Sequence, residues 1–279
     1  QLFVRTLKVS DFYVGDHIVD GQVILPGVAY LEMARVAAEK AMPAKQEASI
    51  IELHHVVWGK PFIITEQEQI TITLLAKDND PVAVEIHSKD NDEGIVHCQL
   101  QVIFIPRLAQ PKLDLEQLKQ QSAQGVKQLL TEIQLPVILE NNEGDYMLHP
   151  TMMDNALQAA MGLINPLFIP FEIASIRILS PCTKKMFAWP RYTPGHASDD
   201  TITKLDMDLC DELGNVCIQL RGVACQQALS QADVPTQTIL PAMPQSPKQI
   251  FLASPLTTSK NILNTFLKWT GSPFNSRPA

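Results

Sequence analysis

Apolar and β-branched residues gather into short runs along most of the chain, and two stretches carry a helical repeat instead. The first runs from Ala29 to Met42. Glu32, Arg35 and Glu39 fall on one face of it and Tyr30, Ala34, Ala37 and Ala41 on the opposite face, so its small-residue side predicts close packing on a sheet. Residues 50–65, 69–77, 82–88 and 95–105 then read as strands. Asp78-Asn79-Asp80 and Asp90-Asn91-Asp92 separate them as hairpin turns, because Asp and Asn hydrogen-bond their own main chain and tolerate turn backbone. A polar connector from Pro106 to about Gly125 follows, with a short helical pattern at Leu113, Leu115 and Leu118. After it the arrangement recurs. A strand-like Leu129–Leu139 precedes a second helix, Thr151–Leu163, and strands near 168–179, 184–192, 200–211 and 215–226. Asp211-Glu212-Leu213-Gly214-Asn215 is the turn between the last two.

This pattern predicts an α+β chain of two units, each an antiparallel sheet around a central helix. Joined edge to edge, the two sheets become one continuous sheet and hide strand edges that would otherwise be bare. The boundaries fall at 1–105 for the first unit, 106–125 for the connector and 126–227 for the second unit, with 228–279 left as a tail. In the tail, Pro235, Pro241, Pro244 and Pro247 among Gln, Ser and Thr read as a semi-rigid linker. Beyond them Ile262, Leu263, Phe266, Leu267 and Trp269 form a short amphipathic pattern, which either docks on the body, docks on a neighbouring domain, or frays.

Composition narrows the function. With 279 residues and 46% apolar content the chain can bury a sizeable core, and its net charge of −8 argues against nucleic acid and offers no basic patch to a membrane. An acidic protein partner would need a local basic spot, for which Lys184-Lys185 and Arg191 are the candidates, against the plainer reading of solvated surface charge. No leader-like segment and no run of about 18 apolar residues is present, and the five scattered cysteines are odd in number; all of this points to a reducing, cytoplasmic setting. No metal site is expected. His97-Cys98 and His54-His55 lack ligand spacing, and Asp206, Asp208 and Asp211 precede Gly214 at the wrong interval for a calcium loop.

Two motifs carry candidate chemistry. Asp16-His17-Ile18-Val19-Asp20-Gly21 followed by Leu25-Pro26-Gly27 has the form H-x-x-x-G-x-x-x-x-P. Half a chain later, Leu148-His149-Pro150, Asp154 and Gln158 have the form L-H-P-x-x-x-D-x-x-x-Q. An imidazole, titrating near ~6.5 in the free amino acid, suits a general base, and a carboxyl kept protonated by an apolar pocket suits a general acid. Pro26 at a first helical position, with Gly27 beside it, would open a helix whose free N–H groups can hydrogen-bond a developing oxyanion. Gly21 would allow a sharp turn between base and helix. Gln158 shares a helix face with Asp154 and can orient it. A competing reading remains: Thr151-Met152-Met153-Asp154 also fits a capping box, and lone His17 also fits an ordinary surface histidine.

Taken together, in this order, the motifs resemble the dehydratase domains of modular polyketide synthases, and the text Leu25-Pro26-Gly27-Val28-Ala29-Tyr30-Leu31-Glu32 extends the likeness over most of residues 1–227. The resemblance implies a double-hotdog fold and elimination of water from a 3-hydroxyacyl thioester on an acyl carrier protein. It implies His17 and Asp154 as the catalytic pair, with Gln158, Gly27, Gly21, Pro26, His149 and Pro150 around the substrate. It also implies no cofactor in the domain itself, a substrate delivered on the phosphopantetheine arm of the carrier, neighbouring synthase domains as partners, and a homodimer within the synthase. The wording around Leu25–Ala34 is similar to synthases served by a separate acyltransferase. One departure stands out. Relatives carry a Y-G-P-x-F-like stretch before the L-H-P motif, whereas here Ser122-Ala123-Gln124-Gly125 runs straight into Val126-Lys127-Gln128-Leu129-Leu130. Relatives that shift double bonds lack the second-motif Asp and the first-motif Pro; Asp154 and Pro26 are both kept, which favours dehydration over isomerisation or pyran-forming cyclisation. A silent, structural domain is the remaining alternative.

Overall fold

The computed structural model describes residues 1–19, 21–43, 49–76, 81–90, 93–107, 109–123, 128–164, 168–196 and 202–227. The chain opens with β1 (Leu2–Lys8), the single-turn helix α1 (Phe12–Gly15) and a small hairpin of β2 (Ile18–Val19) and β3 (Gln22–Val23). Helix α2 (Gly27–Ala41) leads into β4 (Ser49–Trp58), β5 (Gln67–Leu75), β6 (Val82–Asp90) and β7 (Glu93–Pro106). The second half holds α3 (Leu115–Ala123), β8 (Thr131–Gln134), a 3-10 stretch Val137–Asp145 and α4 (Pro150–Met161). It closes with β9 (Phe168–Ile178), β10 (Lys185–Tyr192), β11 (Ile202–Asp211) and β12 (Val216–Gln227).

Ten strands form one antiparallel sheet in the order β1-β5-β6-β7-β4-β9-β12-β11-β10-β8, while β2 and β3 pair only with each other. Alternation decides which face is buried: Ile70, Ile72 and Leu74 on β5 and Val82, Val84 and Ile86 on β6 point inward, with more exposed residues between them. Helix α2 packs on β4 to β7 and α4 on β8, β10 and β11, and the two helices touch. The buried side chains of both halves merge into a single cluster, from Leu31, Leu53 and Leu100 to Met152, Met153 and Ile173. The sheet is continuous because β4 pairs with β9, setting Leu53 against Ile176 and Glu52 against Arg177.

That seam carries a charge cluster. Glu52, 7% exposed, accepts a hydrogen bond from Nε2–H of His54 at 2.8 Å and one from Nε–H of Arg177 on the other half. Burial works to raise the Glu52 carboxyl, but the hydrogen bonds from His54 and Arg177 outweigh it and hold it below the ordinary value of 4.5. A carboxyl depressed on folding stabilises the fold above its unfolded pKa, and that contribution disappears as pH falls through the depressed value. Glu52→Gln is therefore expected to shrink the difference in melting temperature between about pH 7 and about pH 3. Thermal melts of both proteins across that range check it; parallel curves would show the cluster contributes nothing.

The structure corrects several boundaries. The first helix is Gly27–Ala41 rather than 29–42, and Pro26 caps it (φ −59°, ψ 139°) instead of occupying its first turn. Strand 50–65 ends at Trp58, after a register shift beside His55, whose φ is +50°; Ile63 makes only an isolated bridge to Ile24. The strand expected over 129–139 is four residues of β8 followed by the 3-10 stretch. The second helix is Pro150–Met161. Residues 78–80 and 91–92 of the two turns, and the tail from 228 on, lie outside the described residues.

The connector is not a loose polar stretch. Besides α3, it runs alongside the β11–β12 turn, where Leu113 N–H donates to Gly214 O and Val216 N–H to Pro111 O, both at 2.8 Å. Gly214 holds φ +83°, and a Cβ there would stand 2.3 Å from the Leu113 carbonyl oxygen. The Asp211 carboxylate closes the turn by accepting from the N–H groups of Leu213 and Asn215, which accounts for this aspartate without a cation. Two histidines of the sheet are also hydrogen-bonded within the protein: His54 to Glu52, and His97 to the Lys60 carbonyl and the Ser88 hydroxyl.

Candidate active site

The sequence around His17 builds a frame for one ring. Gly21 adopts φ +76° in the turn from β2 to β3, a conformation open to glycine and costly for other residues. The hairpin so formed brings Ile24 back beside His17: Ile24 N–H donates to His17 O at 3.1 Å, and His17 Nδ1–H donates to Ile24 O at 2.7 Å. A carbonyl oxygen only accepts, so the proton is on Nδ1 and the lone pair of the neutral ring is on Nε2. The hairpin is latched from outside by Leu25 N–H to Phe62 O and Ile64 N–H to Val23 O.

Pro26 and Gly27 then start α2. As the first helical residue, Gly27 belongs to the turn whose N–H groups have no partner within the helix. Its carbonyl accepts from the Trp58 indole N–H at 2.9 Å, and a Cβ at this position would approach that indole to 3.0 Å. Gly27 is thus a close-packing glycine, and any larger residue would push Trp58 away from the helix start.

From the other half, α4 presents Asp154. Pro150 takes the first helical position, so His149 becomes the N-cap residue and its side chain makes no capping bond. Thr151 lies inside the helix and the capping-box alternative fails. Asp154 Oδ2 instead accepts from Gln158 Nε2–H at 2.8 Å, one turn on. Burial raises the Asp154 carboxyl above its usual range, against the lowering effects of His17 and the Gln158 hydrogen bond. His17 and Asp154 thus interact electrostatically across the two halves. Leu148, His149 and Pro150 are buried; the His149 ring stacks on Phe12 of α1 (centroids 5.4 Å apart, planes at 29°) and meets the edge of Tyr146.

Sequence reasoning missed Glu32. Although it lies on the charged face of α2, it is 5% exposed, and its carboxylate accepts the backbone N–H groups of Met147 and Leu148 in the opposite half. The available signal was the apolar text on nearly every side of the helix, including Val28, Leu31 and Met33, which leaves no broad solvent face. The basic docking candidates are already matched by acids: Lys184 with Glu140, Lys185 with Glu132 and Glu212, and Arg191 with buried Asp208 while stacked 4.0 Å over Trp189. None of the three stands as an unpaired cationic spot.

A continuous ten-stranded antiparallel sheet carrying one long helix in each half is the double-hotdog architecture, and sequence comparison gives its family. The profile "Polyketide synthase dehydratase domain" matches residues 1–89, and "Polyketide synthase dehydratase N-terminal domain" matches 117–235. Polyketide synthase PksM of Bacillus subtilis (strain 168) is 32% identical over 270 residues, taking in 80% of this chain and 6% of the synthase. PksN of the same organism is 30% identical over 267 residues, with 82% and 5% covered. The chain thus spans about a twentieth of the length of the synthases it matches. A trans-AT polyketide synthase dehydratase domain from Brevibacillus brevis superposes with a TM-score of 0.75 at 31% identity, covering 81% of this chain and 93% of that one. The dehydratase domain from the CurF module of curacin polyketide synthase shares the fold at 19% identity, with a TM-score of 0.71 over 81% of this chain and 92% of that one. The chain belongs to the polyketide synthase dehydratase domains. The alignment to PksM is also longer than the part of this chain it takes in, so PksM has residues in the matched region that this chain lacks.

Proposed function

We propose that this domain removes water from a 3-hydroxyacyl thioester carried on the phosphopantetheine arm of an acyl carrier protein, giving the 2,3-enoyl thioester. The observation that supports the proposal is the contrast between two electrostatically interacting groups: a histidine held with Nε2 as acceptor, and a buried carboxyl pushed toward its protonated form. His17 Nε2 takes the proton from C2. The C2–H electron pair forms the C2–C3 double bond as the C3–O bond breaks, and Asp154 delivers its proton to the departing hydroxyl, which leaves as water. The proton on His17 then returns the pair to its starting state. Gln158 aims the carboxyl, and the N–H groups opening α2 at Gly27 receive the thioester oxygen as charge builds on it. Gly21 and Pro26 shape the hairpin and helix start; His149 and Pro150 shape the opposite wall.

No helix among the described residues is long and apolar enough to cross a membrane. The setting proposed is a cytoplasmic, homodimeric synthase, with the chain divided at 1–105, 106–125 and 126–227 and a linker beyond. The reaction needs no cofactor. The test is incubation with 3-hydroxyacyl pantetheine thioesters of both configurations, read by mass. Loss of one water and the absorbance of a conjugated enoyl thioester are expected; an unchanged mass with every substrate would leave a silent domain, and the enoyl mass without the conjugated absorbance would mark an isomerase, or a cyclase where the substrate carries a further chain hydroxyl.

A further inference from the structure

Glu32 makes four hydrogen bonds with two oxygens, and they divide in a telling way. Oε1 accepts from Met147 N–H at 3.2 Å and from Arg35 Nη2–H at 2.7 Å; Oε2 accepts from Leu148 N–H at 3.0 Å and from Arg35 Nε–H at 2.8 Å. Glu32 and Arg35 are both buried, so water does not compete for these bonds. Had the pair served charge balance alone, Arg35 already has Glu39 on its other side. Buried ion pairs are in any case weak contributors to stability, because desolvation offsets most of their attraction. Half of the accepting capacity goes instead to the backbone just ahead of His149 and Pro150.

We propose that Glu32 is a positioning residue for the elimination: it fixes where α4, and with it Asp154, stands relative to His17. This rests on the reading of His17 as base and Asp154 as acid. The loop is held from both sides, since the Met147 carbonyl also accepts from Cys182 N–H at 2.9 Å. Helix α4 begins two residues after Leu148, and Asp154 is in its second turn, so displacement of Met147 and Leu148 swings the carboxyl directly. On the other side, Glu32 rides on the same rigid helix as Gly27, five residues earlier and roughly 7.5 Å along the axis. Gly27 is tied to Trp58, and the chain just ahead of it forms the hairpin that holds the His17 ring. Helix α2 therefore acts as a ruler, with the base end set by the hairpin and the acid end set by Glu32.

The experiment compares two leaving groups. Elimination of hydroxide requires a proton from the acid, whereas fluoride leaves as a weak base and asks much less of it. Purified wild-type, Glu32→Gln and Asp154→Asn proteins are given 3-hydroxybutyryl and 3-fluorobutyryl pantetheine thioesters. Glu32→Gln keeps the size of the side chain but turns one acceptor into an NH₂ group that faces a donor. It is expected to lower kcat on the hydroxy substrate about 10- to 100-fold, as an ångström-scale misplacement does. KM should stay near the wild-type value, and the fluoro substrate should lose far less, the same selective pattern as Asp154→Asn. Should Glu32→Gln fail to fold, Glu32→Asp gives the same reading, because it keeps the charge on Arg35 but falls one methylene short of the loop. Equal slowing of both substrates, or no slowing, in the variant that folds overturns the proposal. Wild-type protein that eliminates nothing from the hydroxy substrate overturns the dehydratase reading itself, and the role of Glu32 with it; wild-type elimination with an unchanged hydroxy-to-fluoro ratio overturns the role of Glu32 alone.

Discussion

Asp154→Asn is expected to stop dehydration while leaving the melting temperature at neutral pH unchanged or slightly higher. The loss expected in kcat is about 10²- to 10⁴-fold, the usual worth of a general acid. The stability half of the expectation follows from the sign of the shift. Burial raises the Asp154 carboxyl, so the folded state holds a proton that the unfolded chain gives up sooner. Stability from this group is full below the unfolded pKa and declines as pH climbs through the raised one, which makes the ionised carboxylate a burden near neutrality. Asparagine is never ionised, matches the carboxyl in size, and still offers an oxygen to Gln158. A capping residue would behave in the opposite sense, costing roughly 0.5–2 kcal/mol and leaving chemistry intact. Thermal midpoint and turnover measured on the same sample decide between them. In the wild type, activity should also fall on the alkaline side as Asp154 loses its proton, and a rate that stays level there would remove the acid role.

His17→Ala is expected to lower turnover by a similar factor, about 10²- to 10⁴-fold, with little loss of fold. The half-buried ring makes one hydrogen bond, to Ile24 O, while the hairpin beneath it is held by backbone bonds that survive truncation. Circular dichroism and the thermal midpoint check the fold, and product formation from a 3-hydroxyacyl thioester checks the chemistry. Near wild-type turnover would return His17 to the role of a surface histidine. An intermediate result has its own meaning: Gly27 N–H and Asp154 remain in place, and stabilisation of the oxyanion alone leaves residual rate above water.

Much of the local geometry of the candidate site was legible because its residues sit in two short, spaced texts. His17 and Gly21 do fall in one hairpin that leads to Pro26, though Pro26 is the cap of α2 and not its first residue, and the helical interval from Asp154 to Gln158 does bring those side chains into hydrogen bond. The capping box misled because a local rule met a stronger one: Pro150 is suited to the first helical turn, and its presence there moved the N-cap back to His149. The strand over 50–65 read as too long since a left-handed residue at His55 and the turn after Trp58 leave no mark on hydrophobicity. The β2–β3 hairpin, two residues per strand, is shorter than any period can register. Glu32 was hidden for a different reason. Beside Arg35, its partners are backbone groups more than a hundred positions away, and no spacing rule within a helix reports a contact of that kind.

The pairing of β4 with β9 also sets a timetable. Glu52 and Arg177, neighbours across the seam, are separated by 125 positions of chain. A ribosome adding about 5–20 residues per second makes β9 roughly 6–25 s after β4. Once β7 has been made and paired on one side, β4 still offers its other edge unpaired until β9 arrives, with Ile51 and Leu53 nearby. Such an edge is a template for any passing strand. A ten-stranded sheet built on so distant a pairing is also slow to close, since loop entropy is lost before the contact rewards it. Newborn chains of this domain therefore pass through a stage in which half a sheet awaits its continuation, and crowding of many such chains on one message is when they are most exposed to mispairing.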